Sequence, residues 1–458
     1  MLRTAGSGLL GVALSHLLGA GTASALTSGT APRGLHFPAR AKRVIWLFMH
    51  GGPSHLDLFD PKPALIKRAG QPLPASVGKF DTRRDVRRNP LLPPFRKFSP
   101  RGQSGIEISD FLPHMAGLAD RMCVIRSCHG DSVNHPQSVY QMNTGSTIMG
   151  KPSMGSWVSY GLGSENENMP AFVVMPDPGG GLKGGPPAWG SGFLPAAFQG
   201  TTLRPGSAPI LNLKPASGMT PARQRHTLDL VRSLNETHLA ERPEDAQLLG
   251  RLESYELAYR MQSAAPEVVD LGGETEATKK LYGLDNPGTR EFGTRCLLAR
   301  RMIERGVRFV QLYSGNTNGW DAHDDVSSNH AKLCAATDLP IAGLVRDLES
   351  RGLLEDTLVI WGGEFGRMPM SESKKGRDHN PWGYTTVLFG GGVKHGIVHG
   401  ATDEFGLRAE VDRVHVSDLH ATLLHILGID HERLTFRFSG LDQRLTGVRG
   451  ELVTNILA

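Results

Sequence analysis

Short apolar runs that are too brief for helices recur along this chain, and each breaks into a loop of Gly, Pro, His and Asp. RVIWLFM (Arg43 to Met49), Met122 to Ile125, Ala171 to Met175, VRFVQLY (Val307 to Tyr313), Leu358 to Trp361 and Tyr384 to Phe389 carry no helical period. Runs of this kind read as strands buried on both faces, which is the signature of a sheet covered by helices rather than of a half-exposed antiparallel sheet. Amphipathic stretches fill the intervals, above all the helical section 221–305 and Lys332 to Arg351. Strands alternating with helices predict a three-layer α/β/α fold around a largely parallel central sheet. With 458 residues the chain is long enough for one large α/β domain, taken here as 26–458, with a Gly/Pro-rich loop over 176–205.

The first 25 residues stand apart from that domain. AGSGLLGVALSHLLGAGTASA is an apolar stretch of signal-peptide type, and Ala23-Ser24-Ala25 is a small-x-small cleavage signature, so export to the periplasm or cell surface is expected. No twin-arginine pair precedes it, and no other stretch is long and apolar enough for a permanent membrane span. Net charge is +5, with arginines clustered in TRRDVRRNP (Thr82 to Pro90). Aromatic interleaving and nucleic-acid motifs are lacking, so the arginines read as a solvated loop and no nucleic-acid partner is expected. Cys123, Cys128, Cys296 and Cys334 form no CxxC pair, which argues against a thiolate zinc site. Cys123 and Cys128 read equally as a bridge or as two core thiols. The oligomeric state is left open.

The loops that follow the strands carry the chemistry. His50, His55 and Asp57 follow the first strand; Ser132 and His135 follow the second; Asp321 and His323, then Glu364, then Asp378 and His379 follow later ones. In open α/β sheets ligands bind at the carboxyl ends of strands, and a divalent ion needs several O and N ligands to replace its water shell. Asp131 to His135 also lie near the start of a helical pattern, where free backbone N–H groups favour anions.

On these residues a resemblance becomes specific. TLVIWGGEFG is laid out like the strand of the alkaline phosphatase and sulfatase superfamily that ends in Asp-His-Gly, and DLHATLLHILGID is similar to a sulfatase helix. MHGGPSHLDLFDPKP, MNTG, GWDAH, GGEFGRMP and GRDH together resemble an exported bacterial family known as a domain of unknown function, number fifteen-oh-one. The resemblance implies an alkaline-phosphatase-like (sulfatase-like) fold and a divalent metal site, zinc or calcium, with Asp321, His323 and His379 sharing one ion. It puts His50 and Glu364 at the places of metal-binding aspartates, and Gly51 and Phe365 where relatives carry further ligands. His55, Asp57 and Asp378 are the substitutes it leaves for a second site. The nucleophile's place falls on Ser132 or, counted from Thr144-Gly145, on His135, with His135 alternatively a general base beside a metal-activated water. The implied activity is hydrolysis of a phosphate or sulfate ester, on a small molecule or a polysaccharide. The rival is a catalytically degenerate relative that binds a polysaccharide or partner at the cell surface, and a phosphomutase is a third reading.

Overall fold

The structure, a computed structural model, describes residues 33–204, 218–241 and 246–458. The signal-type segment and its cleavage signature lie outside the described residues. In chain order, the elements that bear on the site are β1 (Arg43–Met49), α1 (His55–Leu58), β2 (Met122–His129), α2 (His135–Thr144), α3 (Met154–Leu162), β3 (Phe172–Met175) and β4 (Thr201–Thr202). They continue with α4 (Pro221–Glu241), α5 (Ala246–Val269), α6 (Glu276–Leu281), α7 (Arg290–Glu304), β5 (Phe309–Ser314), α8 (Val326–Ser350), β6 (Thr357–Gly362), β7 (Gly366–Ser371) and β8 (Arg377–Asn380). β9 (Tyr384–Gly390), β10 (Ile397–His399), β11 (Val414–His415) and α9 (Val416–Ile426) complete the set.

A nine-stranded sheet runs β10-β2-β9-β6-β1-β5-β3-β4, with β11 also on β2. Its central strands β1, β3 and β6 are largely apolar because both faces are covered. Ile45, Leu47 and Met49 of β1 pack on one side with Leu297 of α7 and Leu344 of α8. Val44, Trp46 and Phe48 pack on the other with Trp157 of α3 and Leu423 of α9. Side chains of period two thus feed two cores, giving the expected three layers. A wholly buried Leu or Phe of this kind contributes about 1.5–3 kcal/mol.

β9 departs from the parallel pattern. It runs antiparallel to both β6 and β2. Parallel neighbours need a crossover, usually a helix, to bring the chain back. Between β6 and β9 the chain instead spends its length on the antiparallel β7–β8 hairpin, so it re-enters the sheet from the rim it left. Ahead of β2 the chain makes a 3₁₀ turn over Met115–Arg121. All four cysteines are buried free thiols, so no bridge joins Cys123 to Cys128, and burial pushes both thiols up to about 12. No helix among the described residues is long and apolar enough to cross a membrane.

Candidate metal centre

Register brings the loops to one level. Met49 pairs with Ser314 and Phe48 with Gly362, so β1, β5 and β6 end together and release His50, the loop to Asp321, and Glu364 at the same rim. β2 lies parallel to them across β9, and the loop after it turns into α2 with His135 in its first turn. The β7–β8 hairpin closes the rim and carries Arg367, Glu372, Asp378 and His379.

Asp321 is the hub. Its Oδ1 lies 2.7 Å from His323 Nε2, 3.1 Å from His379 Nε2 and 2.8 Å from Arg367 Nη2. Its Oδ2 lies 2.9 Å from His135 Nε2 and 2.6 Å from Lys183 Nζ. Donor atoms of His135, Asp321, His323 and His379 all fall within 4.8 Å of one another, the spacing of a candidate metal site.

The far side of each ring fixes which nitrogen is free. His379 Nδ1 donates to the Val133 carbonyl at 2.6 Å, and a carbonyl only accepts, so Nε2 keeps its lone pair. His135 Nδ1 donates to Glu364 Oε1 at 2.7 Å, and His323 Nδ1 faces Glu372 Oε2. This is how ligating histidines are usually oriented, with the second nitrogen tied to a carboxylate or carbonyl. His135 Nε2 is a buried nitrogen with no hydrogen-bond partner, because its approach to Asp321 is not aligned for one. An orphaned lone pair aimed at a carboxylate and two imidazoles fits a cation between them. His323 Nε2 is contested in the same way: Asp321 at 2.7 Å calls for a proton on it, whereas Arg83 Nη1 at 3.1 Å calls for a lone pair.

Electrostatics follow from burial and the fixed cation. Burial would raise the Asp321 carboxyl, but Arg367 and the three imidazoles outweigh it and hold the group far below the usual range. Burial holds His379 well below its ordinary value, whereas in His323 the same effect is overcome by Asp321 and Glu372, so it is raised. Arg367 is fully buried, and its donors reach the carbonyls of Gly52, Arg377, Gly51 and Trp320 besides Asp321. It is a permanent positive charge built into the rim.

The other sequence-derived candidates lie around this cluster. Glu364, with a side chain 0 % exposed, accepts the Gly51 N–H at 3.0 and 3.1 Å and orients His135. Burial would raise its carboxyl, and His135 and His50 overcome that and lower it. It does not share the group formed by Asp321, and it is not the partner of Arg367. His50 Nε2 accepts the Lys183 N–H at 3.1 Å, and its Nδ1 is buried without a partner. His55 bonds the Gly406 carbonyl at 2.8 Å, and Asp57 pairs with the buried Arg377 at 3.0 Å, so the structure does not bring these two to Asp321. Asp378 groups with His323 and Glu372, and burial raises its carboxyl. Ser132 Oγ accepts the Asn134 N–H at 3.1 Å, just ahead of α2. Phe365 stacks on His379 with ring centroids 4.5 Å apart and lies 4.8 Å from His135, so it plates the side of the cluster where a further ligand would sit. Sequence reading passed over Arg367, Lys183, Glu372 and Arg83. Arg367 left a local trace as a charge in a largely apolar hairpin strand, and Arg83 lay in the arginine run read as a solvated loop.

The fold and the cluster define a three-layer α/β protein with a candidate metal centre at the carboxyl rim of its sheet. The chain belongs to the family described as Protein of unknown function (DUF1501), matched over residues 41–457. None of the curated proteins compared matches it in sequence. Among solved structures it is similar to the PsFucS1 sulfatase from Pseudoalteromonas sp., at 14% identity over 93% of this chain and 75% of that one, with a TM-score of 0.36. It is similar to the alkaline phosphatase from the Antarctic bacterium TAB5, at 10% identity over 86% of this chain and 99% of that one, TM-score 0.36. A phosphonate monoester hydrolase from Silicibacter pomeroyi matches at 12% identity over 69% of this chain and 68% of that one, TM-score 0.32.

Proposed function

We propose that the protein is an exported, metal-dependent hydrolase of phosphate or sulfate esters. The observation that supports this most directly is the convergence of three imidazole Nε2 atoms on Asp321, each with its Nδ1 tied to an acceptor behind it. His135, Asp321, His323 and His379 would hold the ion. A donor set of three imidazoles and one carboxylate suits zinc, whereas calcium favours oxygens alone. Such an ion supplies Lewis-acid stabilisation of an anionic ester. Glu364, Glu372 and the Val133 carbonyl fix the rings, and Arg367 keeps Asp321 ionised. In this role His135 has no nitrogen free for proton transfer, which leaves the Ser132 hydroxyl as the side-chain nucleophile to test. Export of the chain rests on residues 1–25.

Metal analysis of protein purified without chelators, with a screen on aryl phosphates and aryl sulfates, tests the reading. One zinc per chain with turnover is expected. Absence of both would end it. The Phe365 plate favours a second reading, a binding protein that keeps one ion and performs no hydrolysis, for which bound metal without turnover on any ester is the expected result.

A further inference from the structure

Besides the fully buried Arg367 on Asp321 Oδ1, two side chains outside the candidate ligand set sit on atoms that a bound ion would claim. Lys183 Nζ is 2.6 Å from Asp321 Oδ2, and Arg83 Nη1 is 3.1 Å from His323 Nε2. Both are at the mouth: Lys183 is 25 % exposed and Arg83 is exposed. They come from separate loops. Lys183 lies on the glycine strap 177–185, which is fastened by the Lys183 N–H on His50 Nε2 and by the Tyr140 hydroxyl donating to the Gly184 carbonyl at 2.7 Å. Arg83 belongs to the arginine run, where neighbouring Arg84 holds Glu372 at 2.8 Å and donates its backbone N–H to Asp378.

An imidazole nitrogen has one lone pair, so His323 Nε2 cannot serve Arg83 and an ion together. Asp321 Oδ2 accepts the ammonium, and a second cation on that oxygen would repel it. We infer that Lys183 and Arg83 are exchange cations: metal binding displaces both side chains from their ligands and leaves them at the mouth as the clamp for the anionic group of a phosphate or sulfate ester. The inference rests on the metal reading. Chain geometry suits it, because a lysine ammonium on a four-carbon stem and an exposed guanidinium fork swing to a new partner without moving the backbone. The ion neutralises the carboxylate that held Lys183, so the freed charges are matched only by an incoming anion. The arginine run, read from sequence as a solvated loop, thereby gains a place at the site.

The test uses the full chain with Lys183→Met and Arg83→Gln, titrated with zinc in competition with a chelator, and then, zinc-loaded, with inorganic phosphate and inorganic sulfate by calorimetry. Each variant should take zinc as tightly as the wild type or more tightly, since a competitor is gone. Each should bind the better of the two anions roughly 10- to 100-fold more weakly, the value of a charge-assisted hydrogen bond. Lys183→Arg should retain anion binding, which guards against a folding artefact. Unchanged anion affinity in both variants overturns the inference, as does joint loss of zinc and anion, which would mark the two residues as structural. A wild type that takes no zinc defeats the metal reading itself.

Discussion

Asp321 gathers five partners on two oxygens, so its charge is the quantity to remove. Asp321→Asn keeps the shape but leaves Arg367, fully buried, without its carboxylate. Zinc affinity should fall by more than the 10- to 100-fold typical of outer-shell partners, and titration against a chelator measures it. Glu364→Gln should fall within about 10- to 100-fold, because Glu364 touches His135 and Gly51 rather than the other donors. Excess metal should restore function in Glu364→Gln. If its loss equals that of Asp321→Asn, Glu364 is a direct ligand, as the family resemblance implies.

The elements of the rim work through close approach. Gly51 follows β1 with φ +110°, and a Cβ there would lie 2.5 Å from the Asp321 backbone N and 2.6 Å from the Asn318 carbonyl. A relative with a ligand at this position would need a different rim, because here the space belongs to backbone. Gly51→Ala should lower stability by about 2–4 kcal/mol through strain and overpacking, read as a drop in the urea midpoint with zinc absent. The strands of this rim were legible in the sequence, since two-sided burial makes them continuously apolar. The direction of β9 was not, because an apolar run carries no sign of its polarity. Likewise Asp321, His323 and His379 were grouped by the resemblance their motifs carry, while Lys183, Arg83 and Glu372 were not. Their places depend on how distant loops fold over the rim, which no local pattern encodes.

For the molecule as a whole, buried neutral histidines away from the candidate ligands set the acid limit. Burial lowers His330 to about 3 and His420 to about 4. His330 Nε2 accepts the Ser54 N–H at 2.9 Å, and His420 Nε2 donates to the Met142 carbonyl at 2.8 Å. Both folded values lie below the unfolded value of about 6.5, so between them the unfolded chain binds more protons and stability rises with pH. The contribution is complete above about pH 6.5 and is lost as pH falls below it, by roughly 2 kcal/mol per ring at pH 5. Urea midpoints of the zinc-free protein should therefore fall steadily from pH 7.5 to pH 5. A flat profile would show that both rings protonate freely in the folded chain.

The candidate ligands are scattered along the chain from His135 to His379, and the sheet that unites them pairs β1 with β5 and β6. In a zinc finger the ligands are close in sequence and the ion nucleates the fold. Here no ligand set exists until distant strands have already met, so an ion bound at this cluster would be a late arrival that locks a finished structure. Zinc should leave the refolding rate almost untouched and slow unfolding instead, since it stabilises contacts formed after the transition state. Stopped-flow refolding that accelerates with zinc would mean the rim assembles early, ahead of the sheet beneath it.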